Sequence, residues 1–503
     1  MRNVLFIFGC ILVSVSSVKA GDAVDTRITF TIADDDILKG PEESTTASPS
    51  IPNFSPSRSN RLFYDDYERR DTGFENLTHF VLYGRDPGFF ESVDTEAALV
   101  LRAEMLKDQT VSLRDDGSYI RIVRNISNHR VSLTAFPVSA HRMALGYSYN
   151  ISWGGTGVFK AKSSPGFKLQ WDTDNAYAFL GVKAASAQMK MSDGTIENDT
   201  VYGFLGGGGV DVLPVFRIEA NGGYFYRGNI DKEELMLPDG KGRLKVARWD
   251  AVGGSAQLVY HVGIPIGIPI DFRLYRNDPL KREDFFRPEI YNDGVSFILQ
   301  SEFSVLGQTL QDPEHPASTK IQRAMAGDIT AKIKIEKFRI FILGVYRDLS
   351  YMLFNVPSSP PFVDFSLGIE PQAEYFGYVG FDYFFESAHI TPGISFGIQR
   401  PAHIVTRVNA GNDPALSLGS QALVFRNETD TEILNPGDNV ELIYAGKLTL
   451  RWDISSIIGA VGEFQVSYDQ NRRLLKQDST GIPIRVRADP EILGFTLMLQ
   501  ARF

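Results

Sequence analysis

Charged residues in this chain recur at every second position along apolar stretches. Lys332 and Lys334 alternate with Ile333 and Ile335, and Arg339 and Arg347 stand opposite Phe338, Ile340, Ile342 and Tyr346. An extended chain turns successive side chains to opposite faces, so these four cations share the polar faces of two adjacent strands. Joined as a hairpin, the strands would form a basic stripe able to guide an anion. The same alternation places Arg102, Glu104, Lys168, Asp172, Glu374, Asp382, Glu441, Lys447, Arg451, Glu463 and Asp469 on polar faces. Two chemistries fit them equally: a wet wall whose charges bias the passage of ions, or salt bridges that tie neighbouring strands together.

Other chemistry-bearing residues lack the spacing that catalysis needs. Gly206 to Gly209 has no following lysine and hydroxyl residue, so it reads as a loop tip or a close backbone approach, not as a phosphate loop. The seven histidines show neither His-x-x-x-His nor His-Glu-x-x-His spacing, and no metal site is expected. His389 and Ser395 fall on the polar face of one strand, about 20 Å apart by strand rise, too far for proton transfer. No Gly-x-Ser-x-Gly elbow is present. Asp34 to Asp36 reads as a solvated acidic run. The expectation is a protein that is not an enzyme and takes no cofactor.

The elements that must position these residues are strands. From Leu493 to Phe503 every odd residue is apolar, and the even ones are Gly494, Thr496, Met498, Gln500 and Arg502. Similar sets run through Ala97 to Met105, Leu145 to Trp153, Phe167 to Trp171, Ile218 to Tyr226, Ile329 to Ile335, Phe338 to Tyr346, Ala373 to Tyr383, Leu442 to Trp452 and Ile458 to Tyr468. A soluble sandwich also alternates, but its strands average about five or six residues. A tilted strand needs about 9–11 to cross a bilayer. Short connections at 336–337, 385–387 and 453–456 alternate with long ones at 311–319, 350–367, 402–439 and 471–488. Aromatics gather at strand ends: Phe338, Phe385, Trp452 and Phe503 on the short-turn side, Tyr346 and Tyr468 on the other.

A closing strand that ends in an aromatic residue resembles that of bacterial outer-membrane β-barrels, where the final Phe, here Phe503, is the signal read by the barrel assembly machinery. The resemblance implies an all-β fold: a single-chain antiparallel transmembrane β-barrel over residues 76–503. About 16 strands are expected, within 14 to 18, with an even number and a periplasmic C-terminus. The strand path is ambiguous in two places. Asp115-Asp116-Gly117 suggests a hairpin within 108–135. Gly263 to Pro269 reads as a tight turn, yet it falls on the long-loop side when strands are counted back from the end. Either 277–293 makes a longer periplasmic excursion or a strand lies between Lys241 and Gly263.

The N-terminus fits the same compartment. Arg2, an apolar run from Val4 to Val18, and Val18-Lys19-Ala20 make residues 1–20 a cleavable secretory signal. Phe8 precedes Gly9-Cys10 where a lipidation motif wants a small residue, so the only cysteine leaves with the signal. Cleavage lowers the basic count from 51 to 49 against 61 acidic residues, a net charge of about −12. That excludes nucleic acid as the expected partner. Residues 21–75, acidic and rich in Ser, Thr and Pro, read as a disordered tether.

Together these features make a pore for small polar solutes the leading expectation, because about 16 strands leave an aqueous lumen where 8 would be filled. An external loop such as 402–439 could narrow it. The alternative is a barrel that anchors or scaffolds envelope and surface partners through its tether and loops; an outer-membrane enzyme is disfavoured. The expected partners are outer-membrane lipid, the assembly machinery and small polar solutes, with a homo-oligomer left open.

Overall fold

The computed structural model describes residues 24–34, 37–38 and 78–502, apart from 106–110, 116, 141–142, 149–150, 156–162, 191–195, 231–236, 239–243, 246, 265, 267–293, 316–317, 355–363, 366–368, 408–419, 426–430 and 478. The signal-peptide reading of 1–20 and Phe503 lie outside these residues.

The chain is strand after strand. It begins with β1 (Val24–Asp34), β2 (Thr78–Pro87), β3 (Val93–Met105), β4 (Val111–Asp115), β5 (Tyr119–Ile126), β6 (His129–Phe136) and β7 (Gly166–Asp172). Next come the long strands β8 (Ala176–Lys190), β9 (Ile196–Leu213) and β10 (Phe216–Ile230), a small pair β11 (Leu237–Pro238) and β12 (Leu244–Lys245), and then β13 (Ala247–Val262), β14 (Val295–Gln311) and β15 (Thr319–Ile335). After β16 (Phe338–Arg347) a short helix, α1 (Leu349–Phe354), leads to β17 (Glu370–Gln372), β18 (Glu374–Tyr383) and β19 (Ile390–Arg400). The last part holds β20 (Ala402–Arg407), β21 (Ser420–Phe425), β22 (Thr431–Ile433), β23 (Ile443–Asp453), β24 (Ile458–Tyr468), β25 (Arg473–Gln477), β26 (Pro483–Arg487) and β27 (Glu491–Arg502).

Antiparallel pairing links 19 of these strands into one sheet. The pairing returns on itself: β27 pairs with β24 on one side and β1 on the other, and β1 pairs with β2. β4 and β5 lie end to end against β3 and share one position in the wall, so the nineteen strands fill eighteen positions. A closed ring leaves no unpaired strand edge, which lipid would not tolerate.

The burial pattern is inverted relative to a soluble protein. Leu169, Trp171, Leu180, Phe204, Leu258, Leu299, Phe303, Leu448 and Leu499 are exposed, while Lys168, Glu219, Gln257, Glu302, Asp328, Gln399, Lys447, Glu463 and Thr496 are buried. Within each of these strands the two classes occupy opposite faces. An apolar outer face and a polar inner face are what a bilayer around a closed sheet selects, since a charge at mid-depth on the lipid side costs about 2–4 kcal/mol. Among the described residues no helix is long and apolar enough to cross a membrane.

Several expectations are corrected. The tether does not begin at residue 21, because Val24–Asp34 is a wall strand in register with β2 and β27. Its alternation of Ile28, Phe30 and Ile32 with Thr29 and Thr31 already had a strand's period, masked by the acidic run that follows. Asp115-Asp116-Gly117 is no hairpin. The Asp115 carboxylate accepts the N–H groups of Gly117 and Ser118, and Gly117 takes a positive φ of 98°, so the strand is interrupted and continues in the same direction. The reversal comes instead at Ser127, with φ 50°. The 263–294 connection joins the end where the short turns lie, so the strand path is consistent with the longer excursion. β13 fills 247–262 as a single strand.

The set Leu145 to Trp153 is not a wall strand. Its alternation is real, but it lies inside the ring, where the main chains of Leu145 and Trp153 bond to each other in an isolated bridge. The 402–439 region builds a small sheet of β17, β20, β21 and β22 beyond the wall. Leu349 and Met352 of α1 pack with Ala402, Ile404 and Phe425 of that sheet.

Candidate functional site

The inner segment, described at 139–140, 143–148 and 151–154, lies against the inside of the wall from β8 to β14. Bare backbone makes room for it. A side chain added at Gly181 would meet the Met143 sulfur at 2.9 Å, at Gly223 the Leu145 side chain at 2.7 Å, and at Gly253 the Trp153 ring at 3.1 Å. Three inward-facing glycines thus open a trough that the segment fills.

Polar groups fix it there. The Lys183 ammonium, fully buried, donates to the Met143 carbonyl at 2.8 Å and to the Gly154 carbonyl. Asn221 Oδ1 accepts the Gly146 N–H at 3.3 Å. The Glu302 carboxylate accepts the Tyr147 N–H at 3.0 Å and the Ser148 N–H at 2.6 Å. Trp153 Nε1 donates to Ser255 Oγ at 3.1 Å, and the Tyr351 hydroxyl of α1 donates to the Ile151 carbonyl. Each bond satisfies a main-chain or indole group that an irregular segment inside a barrel would otherwise leave unpaired.

An aromatic cluster completes the seat. The Trp153 ring meets Phe225 edge-on at 5.6 Å and Phe354 at 6.2 Å. The Arg227 guanidinium lies over Trp249 at 3.8 Å and donates to the Phe354 carbonyl at 3.1 Å. Leu349, Tyr351 and Phe354 are all buried, so α1 closes the same side of the interior. Asp364 extends this contact: its carboxylate accepts from Gln322 Nε2 at 2.6 Å and pairs with Lys320 at 3.0 Å. Among the described residues, the parts of 139–154 that are in view narrow the interior together with α1, and much of the 402–439 loop lies outside the described residues.

The lumen charges are largely tied into cross-strand pairs. Arg339 grips Asp382, with its Nε 2.9 Å from Oδ1. Arg347 pairs with Glu374 at 2.7 Å, and Lys447 with Glu463 at 3.7 Å. Asp172 takes Arg130 at 3.4 Å, while Arg451 takes Asp453 of its own strand at 3.1 Å. Lys334 stands in register with Arg339, and Lys332 lies 5.8 Å from the Phe341 ring centre. The expected basic stripe is thus braced by the two acids of β18. Lys168 is buried on the inner face of β7. Asp469 is buried beyond the strand, accepting the Asn471 N–H at 2.9 Å. Glu441 lies just ahead of β23, exposed, its N–H donated to Asn471 Oδ1. The side chains of Arg102 and Glu104 lie outside the described residues.

One arrangement was not read from sequence. Arg85 with Asp94, Arg130 with Asp172, Arg217 with Asp211, Arg339 with Asp382 and Arg451 with Asp453 all sit beside the short turns, facing inward. They form a belt of Arg–Asp pairs around that rim. Arg85, Arg130 and Arg217 had no apparent partners in sequence, because those partners come from other strands or across a turn. Lys183 and Glu302 were missed too, although each is a charge on the inner phase of its strand.

Outside the wall, the Lys337 ammonium holds the Glu386 carboxyl below its ordinary value. Burial opposes ionisation of Asp438, but hydrogen bonds from Arg487 and Arg473 outweigh it and hold that group low. Burial pushes the His403 imidazole down, partly offset by its bond to the Pro401 carbonyl.

Fold and wall chemistry define the class, a single-chain antiparallel transmembrane β-barrel. Solved structures of similar course include OpdL of Pseudomonas aeruginosa, at 10% identity and TM-score 0.42, covering 96% of this chain and 99% of that one. OccAB2 of Acinetobacter baumannii is similar at 8% identity and TM-score 0.44, with 96% and 98% covered. OpdQ of Pseudomonas aeruginosa matches at 8% identity and TM-score 0.40, with 96% and 97% covered. No known family pattern matches the sequence, and no curated protein does.

Proposed function

We propose that this barrel is an outer-membrane channel for small hydrophilic solutes, with a passage narrowed from one side by the 139–154 segment and α1. The observation that carries this reading is the closed ring of eighteen wall positions with a polar inner face. A ring of that size is too wide for wall side chains alone to fill. The paired inner charges give selectivity by a fixed field and size exclusion, without a dedicated binding residue. The short-turn rim faces the periplasm, and the long loops with the small β17–β20–β21–β22 sheet face outward. Export by a cleaved signal, folding by the assembly machinery and a homo-oligomeric state belong to the same proposal.

Planar-bilayer recording of the purified full-length protein tests it. Discrete conductance steps are expected; silence at every voltage and salt concentration would remove the channel reading. A second reading has one observation in its favour. Many inner polar groups, among them Glu374, Gln399 and Asn471, are wholly buried, as in a filled barrel that serves as an anchor. Silence in the bilayer, with envelope partners captured on the intact protein and lost on removal of residues 35–75, would select that reading.

A further inference from the structure

The outward wall between β14 and β19 carries a gap. Gly327, Gly344 and Gly377 occupy its lipid-facing phase, with Gly344 in register with Gly377 and with Ile329. A side chain added at Gly344 would meet nothing within 4 Å, one at Gly377 only Ile398 at 3.6 Å, and one at Gly327 only the Glu302 carbonyl at 3.7 Å. None of the three has a positive φ. Neither backbone geometry nor crowding therefore requires glycine here, and glycine weakens a strand by about 0.5–1 kcal/mol relative to alanine. Three such positions side by side leave a groove of about 640 Å³, walled by Phe303, Ile329, Tyr346, Tyr375 and Ile398.

The groove has a polar upper end on the side of the long loops. Tyr346 and Tyr375 meet there with ring centres 5.3 Å apart and planes tilted by 58°, and Tyr375 is in register with the exposed Arg400, which also borders the groove. The nearby acid, Asp348, is engaged by the Met325 N–H at 2.9 Å and by the Tyr346 hydroxyl. An apolar slot on a lipid-facing wall, with aromatics and a guanidinium at the interfacial end, matches an acyl chain with a negatively charged headgroup.

We propose that this groove is a binding site for one anionic lipid of the surrounding leaflet, its chain lying over Gly327, Gly344 and Gly377 and its headgroup phosphate at Arg400. The occupant is a lipid because the groove opens on the apolar belt and is charged only at its rim.

Native mass spectrometry of the full chain in detergent, with phosphatidylglycerol or phosphatidylcholine of matched chains, tests the site. The wild type is expected to retain phosphatidylglycerol at least tenfold over phosphatidylcholine. Gly344→Leu, which has room for its side chain, is expected to lose retention tenfold or more. Arg400→Gln should keep lipid but lose the preference. Heat-modifiable migration on gels verifies that both variants are folded, and unchanged bilayer conductance separates this site from the channel reading. Equal retention by wild type and Gly344→Leu would overturn the proposal. So would equal binding of both lipids by the wild type, or a Gly344→Leu variant whose only change is its oligomeric state.

Discussion

Replacing Glu302 with alanine should detach the inner segment while leaving the wall intact. The carboxylate receives the Tyr147 and Ser148 N–H groups at 3.0 and 2.6 Å inside the ring. A hydrogen bond to a charged group contributes about 1.5–3 kcal/mol. The two together are worth about 3–6 kcal/mol, and water entering the vacated space recovers part of that. A net loss of about 2 kcal/mol raises the population of the released segment roughly 30-fold, since 1.4 kcal/mol is a factor of ten. Hydrogen exchange resolved by peptide is the assay. Exchange across 143–154 should accelerate by that factor in Glu302→Ala, while β14 and β15, held by a 17-residue register, keep their protection. Bilayer recording of the same variant should show larger or more frequent conductance steps. Unchanged exchange at 143–154 would refute the assignment of Glu302 as the anchor; loss of protection in β14 would show that the residue supports the wall instead.

Trp153→Ala removes a buried ring from between Phe225, Phe354 and Ser255 and should cost the interior about 3–5 kcal/mol. Its single-channel conductance should exceed that of the wild type, and an unchanged step size would place the narrowest point elsewhere. Asp438 is held low by Arg487 and Arg473, so its contribution is present above the ordinary carboxylate value of about 3.9 and is lost as pH falls through its lower folded value. Protease cutting in 434–441 and 471–487 should therefore rise in acid, and Asp438→Asn should cut at one rate across that range. His403 is held below its ordinary value by burial, so the neutral ring favours the folded loop sheet. That contribution is complete above about pH 6.5 and declines as pH falls below it toward the folded value. Exchange in β20 and β21 should rise from pH 7 to 5 in the wild type and stay level in His403→Leu.

Strand identity was legible because lipid and lumen impose opposite demands on alternate residues. The stretch from Leu493 to Arg502 shows this: Leu497 and Leu499 face outward while Thr496 and Met498 are buried inside. The same rule failed at Leu145 to Trp153, whose alternation serves a trough of glycines on other strands. Period two reports two different environments, and it does not say which surfaces supply them. It failed again at Val24–Asp34, where a strand adjoins an acidic run and takes its partners from opposite ends of the chain.

Side-chain roles divide along the same line. The sequence by itself determined which residues of each strand are polar and where the chain turns tightly, because these depend on neighbours along the chain. Only the tertiary structure decided that Arg339 meets Asp382, that Arg347 meets Glu374, and that Lys183 and Glu302 hold a segment far from them in sequence. Pairing across strands depends on register and ring closure, and an inner segment's seat depends on which backbones are left bare.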